Sequence, residues 1–227
     1  MSGVVAIDGP SGAGKSTVAR STADALGLPV LDTGAMYRAV TLAVLDRGID
    51  PSDADGCAAV AREVDLQIDG RVVLDGRDVS RSIRSPEVTA IVSTVSAHPA
   101  VRSSLVARQR AWVDQHGGGV VEGRDIGTVV FPEATVKVFL TASERERARR
   151  RQRDEVAAER SVEVERVRED LERRDRADST RPVSPLQPAA DALVLDTTNL
   201  TVADIVSTIV ERFRLATHRT PGETGAS

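Results

Sequence analysis

Aromatic residues, cysteine and lysine are all scarce in this chain of 227 residues. Phe, Trp and Tyr make up 2% of the sequence, so stacking of aromatic rings on nucleobases is not expected to dominate ligand recognition. Cys57 is the only cysteine, which excludes an intrachain disulfide. Lysine occurs only at positions 15 and 137, and arginine supplies every other basic residue. A single arginine is therefore weak evidence for phosphate binding in this chain, whereas a lysine is stronger evidence.

The sequence also lacks the features of nucleic-acid-binding and membrane proteins. Its formal net charge of −4 and pI near 5.5 argue against a large basic surface for nucleic acid. No run of 18 apolar residues is present, which argues against a membrane span. Met1–Val5 lead into a strand pattern without the charged and apolar zones of a signal peptide. We therefore expect a cytoplasmic, monomeric protein whose partners are small molecules, with no nucleic acid and no membrane among them.

Short β-branched runs alternate with helical patterns along the chain. Helices are predicted at Lys15–Leu26, Ala35–Arg47 and Val202–Leu215, and a glycine suited to a C-cap follows each of the first two. The alternation predicts a doubly wound α/β fold with a five-stranded parallel sheet. The five predicted strands are Val4–Asp8, Pro29–Asp32, Val120–Glu122, Val136–Thr141 and Ala192–Asp196.

Two stretches between strands depart from this alternation, and we interpret them as insertions into a single domain spanning residues 1–216. The first, Asp53–Ala97, contains an Asp-Gly pair between alternating apolar runs in Leu66–Gly76, which predicts a β-hairpin. The second, Ser143–Arg176, has a helical composition rich in arginine and acidic residues, a pattern typical of a solvated helix face. Residues 217–227 lack periodicity and are predicted to be a disordered tail.

A glycine-rich segment follows the first predicted strand and opens the first helix. Residues 9–16 read Gly-Pro-Ser-Gly-Ala-Gly-Lys-Ser and match the phosphate-binding pattern G-x-x-x-x-G-K-[ST]. The glycines let backbone N–H groups approach polyphosphate, and the helix N-terminus adds positive potential. Lys15 is placed to reach the β- and γ-phosphates of ATP, and Ser16 to bind Mg²⁺. The predicted ATP-binding residues are Gly9, Pro10, Ser11, Gly12, Ala13, Gly14, Lys15, Ser16 and Thr17.

This motif alone is shared by GTPases, motor-type ATPases and small-molecule kinases. The sequence has no Asn-Lys-x-Asp tetrapeptide to read guanine, and the chain is short for most ring ATPases, so a kinase of a small acceptor remains. Asp8 and Asp32 end two predicted strands and either steady Mg²⁺ through water or cap a helix. His98, His116 and His218 have neither metal-ligand nor catalytic-triad spacing.

Motifs along nearly the whole chain resemble those of bacterial cytidylate kinases. The most specific are Gly-Arg-Asp-x-Gly-Thr-Val-Val-Phe-Pro and Asp-Ser/Thr-Gly-Ala-x-Tyr-Arg. The resemblance implies a nucleoside monophosphate kinase fold and transfer of the γ-phosphoryl group of ATP to CMP and dCMP, with Mg²⁺. The matching segments are Ile7–Lys15, Asp32–Arg38, Val79–Arg84, Pro99–Arg102, Gly123–Pro132 and Arg174–Arg181.

The resemblance also implies how the domain is divided. It implies an acceptor-binding region with the hairpin insertion at about residues 33–116, and a mobile lid at about residues 143–176. The lid is expected to close over the γ-phosphoryl group and exclude water. The implied core is formed by about residues 1–32, 117–142 and 177–216.

Three residues are implied to hold the acceptor phosphate. Arg38 and Arg124 would clamp it, because a planar guanidinium can bind two phosphate oxygens and keeps its charge. Thr33 would assist; many relatives have serine at this position. Two alternatives stay open: Arg38 could lie on the exposed face of its helix, and Arg124 could form a salt bridge with Asp125 that only stabilises their loop.

Three further residues, Ser93, Arg102 and Asp125, are implied to recognise cytosine, whose exocyclic amine donates and whose N3 and O2 accept hydrogen bonds. Without the family, Ser93 would be interpreted as a solvated helix residue. The residues implied to be catalytic are Lys15, Arg124 and Arg181. The remaining implied contacts are Arg174 and Asp178 with the sugar hydroxyls, and Arg181 with the transferring phosphate or the base.

Two other functions remain as alternatives. A kinase for shikimate, UMP or AMP would keep the phosphate loop but lack the hairpin insertion and the set of Ser93, Arg102 and Asp125. A regulatory module that binds ATP without turnover would have no use for Arg38 and Arg124.

Overall fold

The computed structural model describes residues 3–157 and 163–218. The strands, in chain order, are β1 (Val4–Asp8), β2 (Val30–Asp32), β3 (Leu66–Asp69), β4 (Arg71–Leu74), β5 (Arg77–Asp78), β6 (Gly119–Glu122), β7 (Val136–Thr141) and β8 (Leu193–Asp196). The α-helices are α1 (Lys15–Leu26), α2 (Thr33–Asp46), α3 (Ala54–Glu63), α4 (Pro86–Ala97), α5 (Pro99–His116), α6 (Glu144–Ala157), α7 (Val164–Thr180) and α8 (Val202–His218). A 3₁₀ turn at Ser82–Arg84 and a π-helical turn at Ile126–Val130 complete the described elements.

Within the described residues, a five-stranded sheet has the order β2-β6-β1-β7-β8, and every neighbouring pair is parallel. Successive side chains of β1 lie on opposite faces of the sheet, as the two-residue repeat of a strand requires. Val5 and Ile7 pack on the side of α1 and α8, whereas Val4 and Ala6 pack on the side of α2 and α5. The predicted fold class is therefore confirmed.

Local sequence signals set most helix ends. The first helix ends at Gly27, whose φ of 65° is the left-handed conformation that glycine adopts readily. Proline occupies the first position of both α4 and α5, where its missing N–H costs no hydrogen bond. Helix α2 begins at Thr33, two residues before the predicted start, because the Asp32 carboxylate caps it by accepting from the Ala35 N–H at 3.0 Å.

The acceptor-side insertion contains α3 and a small antiparallel sheet. Strands β3 and β4 pair around Gly70, whose φ of 65° fits the predicted hairpin turn. A short third strand, β5, extends this sheet and was not predicted from the sequence. Helices α4 and α5 then return the chain to the parallel sheet.

The arginine-rich segment forms the helix pair α6 and α7, which packs around a small apolar cluster of Ala148, Val167 and Leu171. Helix α7 runs on through Thr180, past the expected end of the lid at residue 176. Residues 158–162, which belong to the predicted lid, lie outside the described residues.

The last described helix, α8, continues through His218. Thr217 therefore belongs to a helix, where its hydroxyl donates to the Phe213 carbonyl at 2.9 Å, and not to the predicted tail. Residues 219–227 of that predicted tail lie outside the described ranges. No helix in the described part of the chain has the length and apolar character needed to cross a membrane.

Candidate active site

A cavity of about 690 Å³ opens at the carboxyl ends of the parallel strands, where ligands bind in open α/β sheets. Its volume lies in the range of small-molecule sites. The phosphate loop from Ser11 to Thr17 lines one part of it. Gly9 and Pro10, also predicted to bind ATP, do not line it. All the residues expected to bind the acceptor line this same cavity: Thr33, Arg38, Ser93, Arg102, Arg124, Asp125, Arg174, Asp178 and Arg181.

The phosphate loop depends on glycine at two close contacts. A Cβ atom at Gly9 would lie 2.2 Å from the Leu140 carbonyl oxygen, and the φ of Gly9 is +146°. A Cβ atom at Gly12 would lie 2.9 Å from the Arg147 carbonyl oxygen, and the φ of Gly12 is +77°. The loop is therefore pressed between strand β7 and helix α6, and no other residue type fits either position without strain.

Lys15 and Glu122 form the charged centre of the loop region. The Lys15 ammonium donates to the Pro10 carbonyl at 2.8 Å, and the Ser16 hydroxyl donates to Glu122 Oε2 at 3.0 Å. Burial, followed by the charge of Arg124, lowers the pKa of Lys15. Burial and the nearby Asp32 carboxylate raise the pKa of Glu122. Burial thus disfavours the charged forms of both side chains. Phosphate bound near Lys15 and a cation bound near Glu122 would favour those charged forms again.

The two aspartates with open roles both act as caps. Asp8 accepts from the N–H groups of Ile126 and Gly127, both at 2.8 Å, and so holds the start of the π-helical turn after Asp125. Burial raises its pKa to about 6, against those two hydrogen bonds. Asp32 caps α2. Both residues therefore make capping hydrogen bonds, and Asp32 also lines the cavity.

Arginine side chains crowd the acceptor side of the cavity. Arg38 is half-buried and donates to the Ile83 carbonyl at 3.3 Å and to the Thr89 hydroxyl at 2.9 Å, so it does not lie on an exposed helix face. Burial and the charges of Arg174, Arg151 and Arg84 lower its pKa. Burial and the charge of Arg124 likewise lower the pKa of Arg174. A guanidinium stays protonated at neutral pH, so the cluster is a concentration of positive charge suited to an anion.

Arg124 connects this cluster to the phosphate loop. Its Nε donates to Asp178 at 3.0 Å and its Nη2 to the Ser11 hydroxyl at 2.8 Å. The structure thus gives Arg124 a different partner from Asp125, the neighbour proposed for it in the salt-bridge alternative. The Thr33 hydroxyl donates to the Glu122 carbonyl, with an oxygen–oxygen distance of 2.7 Å. In this arrangement the hydroxyl can only accept a hydrogen bond from a ligand.

The residues expected to meet the base form a buried network at the far end of the cavity. Asp125 is ion-paired with Arg102, and Arg181 Nη2 lies 3.7 Å from its other carboxylate oxygen. The Arg102 guanidinium also lies 5.4 Å from the centre of the Tyr37 ring. Ser93 is half-buried on α4 and lines the cavity beside them.

Several lining residues were missed by the sequence analysis. Glu122 is the clearest case, although a signal was available: it is an acidic residue directly after the buried run Val120–Val121, at a strand end where ligands bind. Arg84 was quoted as part of a motif but given no role. The lid residues that line the cavity could not be chosen from the sequence, because arginines occur on every face of these helices. Apart from Arg174, which the family motifs had already indicated, they are Glu146, Arg150, Arg151, Arg153 and Leu171.

Comparisons with known sequences show the family to which this chain belongs. The profile of the family described as Cytidylate kinase matches residues 5–215. The chain is 54% identical over 208 residues to the cytidylate kinase of Mycobacterium avium (strain 104), covering 89% of this chain and 91% of that protein. It is 49% identical over 219 residues to the bifunctional pantoate ligase/cytidylate kinase of Synechocystis sp., covering 93% of this chain. The chain spans only 42% of the length of that bifunctional relative.

A solved structure with a similar fold is the gluconokinase from Sinorhizobium meliloti 1021. It superposes with a TM-score of 0.50 at 17% sequence identity, covering 95% of this chain and 94% of that chain. At that level of identity the likeness concerns the fold alone.

Proposed function

Since this chain belongs to the cytidylate kinase family, we propose that it transfers the γ-phosphoryl group of ATP to CMP and dCMP, giving ADP with CDP or dCDP. The observation that supports this most directly is the shared cavity. The phosphate loop with Lys15 and the arginine cluster with Arg38 and Arg124 line one space, so a donor and an acceptor phosphate can meet there.

ATP would bind with its phosphates on the loop from Ser11 to Thr17 and its base toward α8. Leu200 and Val202 are apolar, substantially exposed and line the cavity beside the loop, which suits the flat face of a purine. Lys15 would pair with the β- and γ-phosphates. Its lowered pKa would rise on binding, because the negative phosphates favour its charged form.

Mg²⁺ would be held by Ser16 with Glu122 close by, and the donor set fits this ion. A hydroxyl and a buried carboxylate lie 3.0 Å apart, and Mg²⁺ prefers oxygen ligands supplied by one or two protein groups together with phosphates. Within the described residues, no group of three or more His, Cys, Asp and Glu side chains forms a metal site without substrate. When bound, the ion neutralises charge on the phosphates during transfer.

The acceptor phosphate would be clamped by Arg38 and Arg124, and Thr33 would assist by turning its hydroxyl hydrogen from the Glu122 carbonyl to a phosphate oxygen. Asp178 and Arg174 would meet the sugar, and Arg181 would lie between the base and the transferring group. Lys15, Arg124 and Arg181 would act on the reacting phosphates. The acceptor is already an ionised phosphate oxygen, so no general base is required and catalysis consists of positioning and charge neutralisation.

Cytosine would be recognised by Asp125, with Arg102 and Ser93. An ionised carboxylate can only accept hydrogen bonds, so it favours the 4-amino group of cytosine over the 4-carbonyl of uracil. The Arg102 and Arg181 guanidinium groups face the Asp125 carboxylate in its buried site. They also provide donors that could reach O2 and N3 of the base.

Action as a monomer is part of this proposal. The single-domain division with a lid at about residues 143–176 is part of the same proposal, as is a cytoplasmic location, which a lone buried cysteine suits.

Phosphorus-31 NMR of a mixture of protein, MgATP and CMP tests this function. We expect the signals of CDP and ADP to grow together in equal amounts. Formation of ADP with inorganic phosphate at a rate independent of CMP would contradict the proposal, and so would ATP binding without turnover.

A further inference from the structure

Side chains from outside the phosphate loop hold all three polar groups of one loop residue, Ser11. Its N–H donates to Asp175 Oδ1 at 3.1 Å, and its carbonyl accepts from Arg147 Nη1 at 3.1 Å. Its hydroxyl accepts from Arg124 Nη2 at 2.8 Å. Ser11 is 7% exposed, so water does not readily replace these partners. The orientation of the loop at Ser11 is therefore set by the lid helices and by the acceptor clamp.

Arg147 on α6 and Asp175 on α7 also form an ion pair with each other. Their side chains are 9% and 16% exposed. Asp175 lies on the face of α7 that packs on α6, since Leu171 of the apolar cluster lies one helical turn before it. Neither residue lines the cavity.

The ion pair acts on the two peptide groups that flank Ser11. In a trans peptide the C=O and N–H point in opposite directions. Asp175 holds the Ser11 N–H outward, so the Pro10 carbonyl of the same peptide turns the other way, where Lys15 donates to it at 2.8 Å. Arg147 holds the Ser11 carbonyl, so the Gly12 N–H of the same peptide points the opposite way, and Gly12 lines the cavity.

Helix α6 packs closely on the phosphate loop, which supports a structural role for the contact between Arg147 and Ser11. The Arg147 backbone approaches Gly12 so closely that a Cβ there would lie 2.9 Å from the Arg147 carbonyl oxygen. Three residues along the same helix face, Arg150 donates to the Ala13 carbonyl at 3.3 Å and to the Thr197 hydroxyl at 2.8 Å. Helix α6 thus contacts the loop at successive residues.

We propose that the Arg147–Asp175 pair positions the phosphate loop for ATP. It orients the peptides on both sides of Ser11 so that Lys15 and the Gly12 N–H face the phosphates. Arg147 and Asp175 are positioning residues, which act through Ser11 without touching the reacting atoms. The role of these residues in transfer rests on the proposed function, whereas their effect on ATP binding does not.

The test compares Asp175→Ala and Asp175→Asn with a matched control, Asp170→Ala, on the same helix. The Asp170 side chain is 50% exposed and pairs with the nearby Arg173. The dissociation constant of MgATP is measured by calorimetry without acceptor, together with kcat, the KM of CMP and the melting temperature. For Asp175→Ala we expect at least tenfold weaker ATP binding and at least tenfold lower kcat, with the KM of CMP changed less than threefold. The control should match the parent.

Asp175→Asn keeps the side-chain volume and one acceptor for the Ser11 N–H but loses the charge opposite Arg147. We expect ATP binding between that of the parent and the alanine variant, and this variant carries the test if Asp175→Ala does not fold. Unchanged or tighter ATP binding in a folded Asp175 variant would overturn the proposal. An equal rise in the KM of CMP would also overturn it, by placing Asp175 in the acceptor site. If the parent binds ATP but does not phosphorylate CMP, only the proposed function fails.

Discussion

Asp125 and Arg102 form an ion pair in which both side chains are almost entirely buried, at 5% and 4% exposure. The pair links the acidic residue proposed to recognise the base to helix α5. Arg181 approaches the same carboxylate from the segment after α7. The Asp125 carboxylate thus lies between two arginines, and the proposed base recognition and local stability depend on the same group.

Asp125→Asn should lower activity on CMP and reduce the CMP-to-UMP ratio of kcat/KM. The amide offers a donor to the 4-carbonyl of uracil and removes the charge that repels it, and sites of this kind can discriminate by about 10⁴-fold. The substitution also leaves Arg102 buried without its counter-charge, so we expect a loss of unfolding free energy on the order of 3 kcal/mol. Steady-state kinetics with both acceptors and urea unfolding measure the two effects.

Asp114→Asn, on the exposed end of α5, is the matched control and should behave like the parent protein. If Asp125→Asn lowers both activities by the same factor, Asp125 acts on loop geometry and does not recognise the base.

Lys15→Ala should reduce kcat by about 10³-fold or more, because a phosphate-loop lysine stabilises the charge that develops on the transferring group. Stability should change by less than about 1 kcal/mol, since burial already disfavours the charged form of this lysine in the free protein. Turnover assays and thermal melts provide both values. The control is the only other lysine, Lys137, which pairs with Asp191 and does not line the cavity. Near-parental turnover in Lys15→Ala would reject the assigned phosphate loop.

Arg38→Met should raise the KM of CMP by roughly 10²-fold through loss of charge-assisted hydrogen bonds to the acceptor phosphate. The free protein should not be greatly destabilised, because burial and repulsion from Arg174 already oppose this charge. Arg47→Met, at the C-cap of the same helix, removes an exposed arginine that pairs with Glu63, and it should leave the KM unchanged. Equal KM values for the two variants would remove Arg38 from the acceptor site.

Asp8 predicts a pH dependence of folding stability. Its pKa is raised from 3.8 to about 6, so the folded state binds a proton more tightly than the unfolded state. The contribution of protonated Asp8 to the free energy of unfolding is fully present below pH 3.8 and is lost as the pH rises through 6. This change is on the order of 3 kcal/mol. Asp8→Asn cannot ionise, so its stability relative to the parent should improve between pH 4 and pH 7. Parallel pH profiles for the two proteins, from urea unfolding, would contradict the assigned titration.

Much of the fold could be predicted because the relevant signals are local. Glycine at position 27 and proline at positions 86 and 99 act on the backbone within one helical turn. The buried strand β1 follows from a run of β-branched residues. The short strand β5 was missed because Arg77 and Asp78 have neither an apolar pattern nor a high strand propensity, and only pairing with β4 makes them a strand.

The residues lining the candidate site were predicted mainly from the family motifs, whereas their partners were not. No sequence spacing places Asp175 at the N–H of Ser11, because 164 residues separate them and the contact depends on how the lid packs. Asp8 could not be distinguished as a cap or a metal neighbour until the position of Ile126 was known. Long-range hydrogen bonds of this kind depend on tertiary structure.

The most direct test of the proposed function is the ratio of kcat/KM across CMP, dCMP, UMP, AMP and GMP, measured by coupled ADP release with MgATP. We predict that CMP and dCMP are the best acceptors and that UMP is at least 10²-fold worse, because a carboxylate opposes its 4-carbonyl. The purine nucleotides should be poorer still. A preference for UMP, AMP or GMP over CMP, or ADP release independent of every acceptor, would contradict a cytidylate kinase whose base recognition depends on Asp125.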